Sequence, residues 1–144
     1  MNKTNSTQSD CIFCKIVAKE IPANVVYETP DVLAFLDLKP INPGHTLVVP
    51  KAHSEGIADI SEKDLHAVIS TVQKISQALK STIRPDGINI GQNNGKSAGQ
   101  IIFHTHFHVI PRFDTDGLKA WHRENPDISK QEDIAKTLSS ALKG

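Results

Sequence analysis

Residues 104–112 read HTHFHVIPR, with three of the chain's seven histidines at every second position of an apolar run. Successive side chains of a β-strand point to opposite faces, so this spacing aims all three imidazoles the same way. The alternation predicts a strand from Ile101 to Ile110. Ile101, Phe103, Thr105, Phe107 and Val109 form the face toward a core, and Ile102, His104, His106, His108 and Ile110 form the other. Same-face neighbours stand roughly 7 Å apart, close enough to surround a phosphate-sized group. Pro111 is expected to end the strand, because it has no N–H for a ladder. Two other readings of the row are a half-exposed polar face and a three-histidine catalytic zinc site. The second is poorly served by one strand, since tetrahedral sites usually draw ligands from several elements.

Outward from this strand, the chain alternates short apolar runs with turn residues. Residues 1–9 read as a flexible tail, and Asp10 is a candidate cap for a short helix from Cys11 to about Lys19, ended by Pro22. Val25–Glu28 and Val32–Asp37 read as a hairpin around Thr29-Pro30-Asp31. TLVVP, residues 46–50, reads as a buried central strand. Ser61 opens the main helix, in which Leu65, Val68, Ile69, Val72, Ile75 and Leu79 recur at helical spacing to about Lys80. GINIGQ (87–92) supplies a fourth strand. A last amphipathic helix at about 129–142 carries Ile134, Leu138 and Leu142. The expected class is α+β: a five-stranded, mainly antiparallel sheet with the helices on one face, forming one domain over residues 10–144.

Composition narrows the functional classes. Sixteen basic residues balance sixteen acidic ones, so no net charge steers the chain to nucleic acid or an anionic membrane. The polar start, MNKTNSTQSD, lacks an apolar signal segment and no run reaches membrane-spanning length, so the expected location is cytoplasmic. Cys11 and Cys14 are the only cysteines, a spacing typical of a metal or redox site. A thioredoxin-type site would need a preceding strand. GQNNGKS, residues 91–97, resembles a phosphate-binding P-loop but has three residues between its glycines and a strand, not a helix, after it.

HTHFHVI resembles the signature of the histidine triad (HIT) family. CIFCKIVAKEIPA, VLAFLDLKPINPGHTLVVPKAH and NNGKSAGQ are similar, in the same order, to segments of its bacterial Hint-like branch, so the resemblance runs from about residue 10 to residue 112. It implies a homodimer whose sheets join into one, and purine nucleotides bound with the α-phosphate over the histidines. It also implies cleavage between the α-phosphorus and a leaving group, commonly an amine. The catalytic set is then His104, His106, His108 and His45, with His106 the nucleophile, His108 a donor to a phosphate oxygen, and His45 a fourth histidine supporting the triad.

The same resemblance places Asp37 on the ribose hydroxyls, Asn93 beside the phosphate, and Gly99 with Gln100 in a loop whose backbone approaches it. Phe13, Ile16, Phe35 and Leu38 match an apolar slot for the base, although their pattern also suits plain core. Members with the same cysteine pair look as if they hold a structural zinc, which here would take Cys11, Cys14, His53 and His104. A reduced, metal-free pair is the alternative. Many members carry serine or threonine after the GQ, where this chain has Ile101. Trp121, the one tryptophan, is given no role. The rival functions are a dinucleoside polyphosphate hydrolase and a nucleotide-binding regulatory module with negligible turnover.

Overall fold

The computed structural model describes residues 8–118 and 127–143. Most of the expected tail and Trp121 lie outside the described residues. Strands β1 (Val25–Glu28), β2 (Val32–Leu36), β3 (Thr46–Pro50), β4 (Gly87–Gly91) and β5 (Phe107–Arg112) form one sheet in the order β1-β2-β3-β5-β4. Every neighbouring pair is antiparallel. The helices are α1 (Ile12–Val17), α2 (Glu62–Thr82) and α3 (Gln131–Lys143).

The sheet is covered on both faces, not on one as expected. Residues 32–35 and 47–49 are buried throughout, so neighbours along a strand feed opposite cores. Val32, Ala34, Val48 and Val109 meet Val68, Val72 and Ile75 of α2. Leu33, Phe35, Leu47 and Val49 face the other way and meet Phe13 and Ile16 of α1. Leu47 pairs with His108, which puts the histidine row on the α1 side. The continuous apolar strands of the sequence are thus sandwiched strands, as a doubly covered sheet requires.

Three local expectations need correction. The histidine strand starts at Phe107, so Ile101 and Phe103 are not core residues but lie 84% and 45% exposed. The alternation continues through the histidines even though the ladder with β3 stops at Phe107, because Thr105 N–H donates instead to Ser54 O at 2.7 Å. Pro111 does not end β5. Its carbonyl accepts from Asn42 Nδ2 on the side where β3 has already ended, and a residue's nitrogen faces the same side as its carbonyl, so no ladder bond is lost. Finally, Cys11 rather than Asp10 caps α1, its Sγ accepting from Cys14 N.

Ser61 caps α2 as expected, accepting from Asp64 N at 3.1 Å. Among the described residues no helix is long and apolar enough to cross a membrane.

Candidate active site

Four neutral imidazoles are oriented here by bonds that settle which nitrogen of each carries the proton. Burial is the main cause holding His45, His104, His106 and His108 below the ordinary histidine range, His104 and His108 down to about 4. All four rings are therefore neutral at pH 7, each with one N–H and one lone pair.

His106 Nδ1 lies 2.7 Å from the carbonyl oxygen of His104. A carbonyl only accepts, so the proton is on Nδ1 and the lone pair of Nε2 is free. This is the form a nucleophile needs. The ring is held edge-on by Phe13, with centroids 5.1 Å apart, and stands 5.0 Å from the ring of His108.

A relay of the opposite sense runs through His45 and His108. Ile41 N–H donates to His45 Nδ1 at 3.0 Å, which leaves the proton of His45 on Nε2. That atom is 2.9 Å from His108 Nδ1, which must accept. His108 therefore carries its proton on Nε2 and can donate it outward. Asp37 Oδ2 lies 3.5 Å from His45 Nε2, while Asp37 Oδ1 accepts from Lys39 N. The structure thus brings Asp37, His45, His106 and His108 together.

His104 belongs to a second cluster. Its Nε2–H donates to Pro50 O at 2.7 Å, so the Nδ1 lone pair points at Cys11 Sγ, 3.4 Å away, and Cys14 Sγ, 3.5 Å away. His53 Nδ1 is 3.4 Å from Cys14 Sγ, and the four donor atoms lie within 4.8 Å of one another. Two ligands on one tetrahedral zinc, at ordinary Zn–S and Zn–N lengths, are separated by about 3.5 Å. The donor set fits. A metal on three triad histidines does not form, because His104 turns away from the other two.

The loop at residues 92–100 leaves β4 beside the triad, since Gly91 pairs with His108. Its Lys96–Ala98 turn is a single 3₁₀ turn, which removes the P-loop reading. Gly99 has φ +88°, and a Cβ there would sit 3.6 Å from Asn93 Nδ2, so this amide lies over a glycine backbone in the left-handed region. Gln100 is buried, and its amide is fully used: Oε1 accepts from Gly95 N, and Nε2 donates to Glu55 O and Ile102 O. It fixes the loop, leaving only backbone to meet a ligand. Phe13, Ile16 and Phe35 are packed in the core behind the histidines, whereas Leu38 is 71% exposed.

Residues 18–115 match the model of the HIT domain family. The chain belongs to this family. The HIT fold extends to solved structures: a HIT family protein from Bacillus subtilis is 42% identical, with a TM-score of 0.83, over 93% of this chain and 96% of that one. A zinc-bound histidine triad family protein from Mycobacterium smegmatis is 35% identical, with a TM-score of 0.73, over 93% of this chain and 96% of that one. The adenosine 5'-monophosphoramidase of Candida albicans is 36% identical over 143 residues, covering 95% of this chain and 94% of that protein.

Sequence reading missed the groups that set the tautomers in this HIT domain. They are the carbonyls of Pro50 and His104 and the N–H of Ile41, backbone atoms that no side-chain pattern reveals.

Proposed function

We propose that the protein hydrolyses purine nucleoside phosphoramidates and related α-phosphate conjugates through a nucleotidyl group on His106. The observation that carries this reading is the bond from His106 Nδ1 to His104 O, which leaves Nε2 as a lone-pair donor. Nε2 attacks the α-phosphorus and the bond to the leaving nitrogen breaks, that nitrogen taking the electron pair and a proton. Water then adds a hydroxyl to phosphorus, the Nε2–P bond breaks, a proton returns, and nucleoside monophosphate is released. His108, with its proton on Nε2, stabilises the charge growing on a phosphate oxygen. Asp37 holds the ribose hydroxyls, Asn93 and the Gly99–Gln100 backbone hold the phosphate, and Leu38 borders the base. The name of the Candida albicans relative supports this leaving-group class. The working form in this reading is a homodimer in the cytoplasm, with zinc on Cys11, Cys14, His53 and His104.

The test is rapid quenching with an adenosine phosphoramidate followed by intact-mass measurement. The expected result is an adenylyl adduct mapped to His106. No adduct and no product over many hours would favour a binding module instead. Relative kcat/KM on phosphoramidates and dinucleoside polyphosphates separates the two enzyme readings, the first set being the better substrates.

Ile101 is exposed and lies outside any strand, directly before the bend at residues 102–104 that leads into the triad, which supports the reading in which its side chain borders the leaving group. An apolar side chain here leaves the leaving group without the hydroxyl that many members supply. Ile101→Ser should raise kcat/KM for alkyl phosphoramidates by about fivefold, the worth of one net hydrogen bond of ~1 kcal/mol, to roughly 150-fold for ~3 kcal/mol aimed at developing charge. A nitrophenyl ester, whose leaving group needs no help, should change little. Equal gains on both substrates would show that the hydroxyl does not meet the leaving group.

A further inference from the structure

The turn that carries His45 is tied to the far end of β5 by one side chain. Asn42 Nδ2 donates to Pro111 O at 2.9 Å and to Asp116 Oδ2 at 3.0 Å, while Asn42 O accepts from His45 N–H at 3.0 Å. Its neighbour Ile41 supplies the N–H that keeps the proton of His45 on Nε2. Asp116 is itself anchored. Its carboxylate, 7% exposed, also accepts from Arg112 Nε at 2.8 Å, Phe113 N at 3.0 Å and Leu118 N at 2.9 Å. The same turn is pressed against α2 and β5 at Gly44, whose φ is +94° and where a Cβ would come within 2.5 Å of Ile83 Cδ1.

We propose that Asn42 is a positioning residue for the reaction, holding the 41–45 turn between Pro111 and Asp116 so that Ile41 N–H locks His45, and through it His108, in the donating tautomer. This inference rests on the reaction proposed above and adds to it a residue that touches neither substrate nor histidine ring. The logic is geometric. An imidazole whose Nδ1 loses its fixed donor can exchange its proton between nitrogens, and a His45 protonated on Nδ1 no longer donates to His108. His108 would then populate the tautomer whose outward nitrogen is a lone pair, facing a phosphate oxygen it cannot bind.

Asn42→Ala removes the tie while leaving both histidines and the residues that bond them unsubstituted. The expected result is a fall in kcat of about 10- to 100-fold with adenosine monophosphate affinity held within about threefold, the signature of a support lost mainly in the transition state. Imidazole ¹⁵N spectra of the same variant should show His45 moving from the Nε2–H form toward a mixture. Asp116→Asn, which keeps Asn42 but puts an amide among donors, should move both readouts in the same direction. Unchanged kcat in two folded variants would overturn the proposal, as would a fall in kcat with His45 still wholly in the Nε2–H form. The spectra need no turnover, so an inactive wild type would count against the reaction, while the tautomer still decides the role of Asn42.

Discussion

His106→Asn is expected to lower kcat by about 10³-fold or more while leaving nucleotide affinity within a few-fold, because it deletes the attacking nitrogen and little else. The side-chain amide of asparagine can place its N–H near the position of Nδ1, so the bond to His104 O has a replacement donor. What disappears is Nε2, and with it the covalent route. The cost to folding should be small. Part of the ring volume against Phe13 is vacated, a change on the order of 1–2 kcal/mol at a site already lined by polar groups. Stopped-flow single-turnover rates, equilibrium titration with adenosine monophosphate and a thermal melt together make the test. Near-native turnover by the folded variant would remove His106 from the chemistry, and loss of binding along with rate would make it a binding residue.

The contrast between what was legible and what was not follows from which atoms a sequence displays. Side-chain period shows faces, so the residues 46–50 strand, the α2 stripe and the shared direction of His104, His106 and His108 could all be read. Period does not show where a ladder ends. Alternation alone carries the histidine strand back to Ile101, yet β5 begins at Phe107, because Ser54 replaces β3 as the partner of Thr105. The burial of the histidines on the side of α1 was equally hidden, since a six-residue helix after a polar tail carries too few turns to announce which layer it covers. Residue identity suggested a shared task for the three imidazoles. Their orientations came only from backbone carbonyls: Pro50 O turns His104 toward the cysteines, and His104 O fixes the proton of His106 on Nδ1 and leaves the Nε2 lone pair free. Resemblance supplied the names of the nucleotide contacts, while the structure shows that Gln100 can serve only through its backbone.

Loss of metal from the second cluster should be felt in stability first. Cys14 is 3% exposed and sits on the same short helix as Phe13 and Ile16, which close the core on the α1 side of the sheet. A six-residue helix has little stability of its own, so its place depends on what anchors it. Zinc held by Cys11 and Cys14 from α1, His53 after β3, and His104 before β5 would join three separated segments at one point. Binding to the folded chain alone stabilises it by linkage, about 3–4 kcal/mol once free zinc exceeds the dissociation constant by a few hundred-fold. For a domain of this size that corresponds to a rise of roughly 10 °C in Tm. Protein purified without chelator should therefore hold about one zinc per chain, and stripping it should lower Tm by that amount and restore it on readdition. Burial pushes the Cys14 thiol up, so in the metal-free site this thiol is protonated near neutral pH. Zinc binding must expel thiol protons, and retention should weaken as pH falls. Cys14→Ala should reduce bound zinc well below one per chain and abolish the response of Tm to chelator. Undiminished zinc in that variant, or a wild-type Tm indifferent to chelation, would return Cys11 and Cys14 to the role of a reduced pair that packs α1 without a metal.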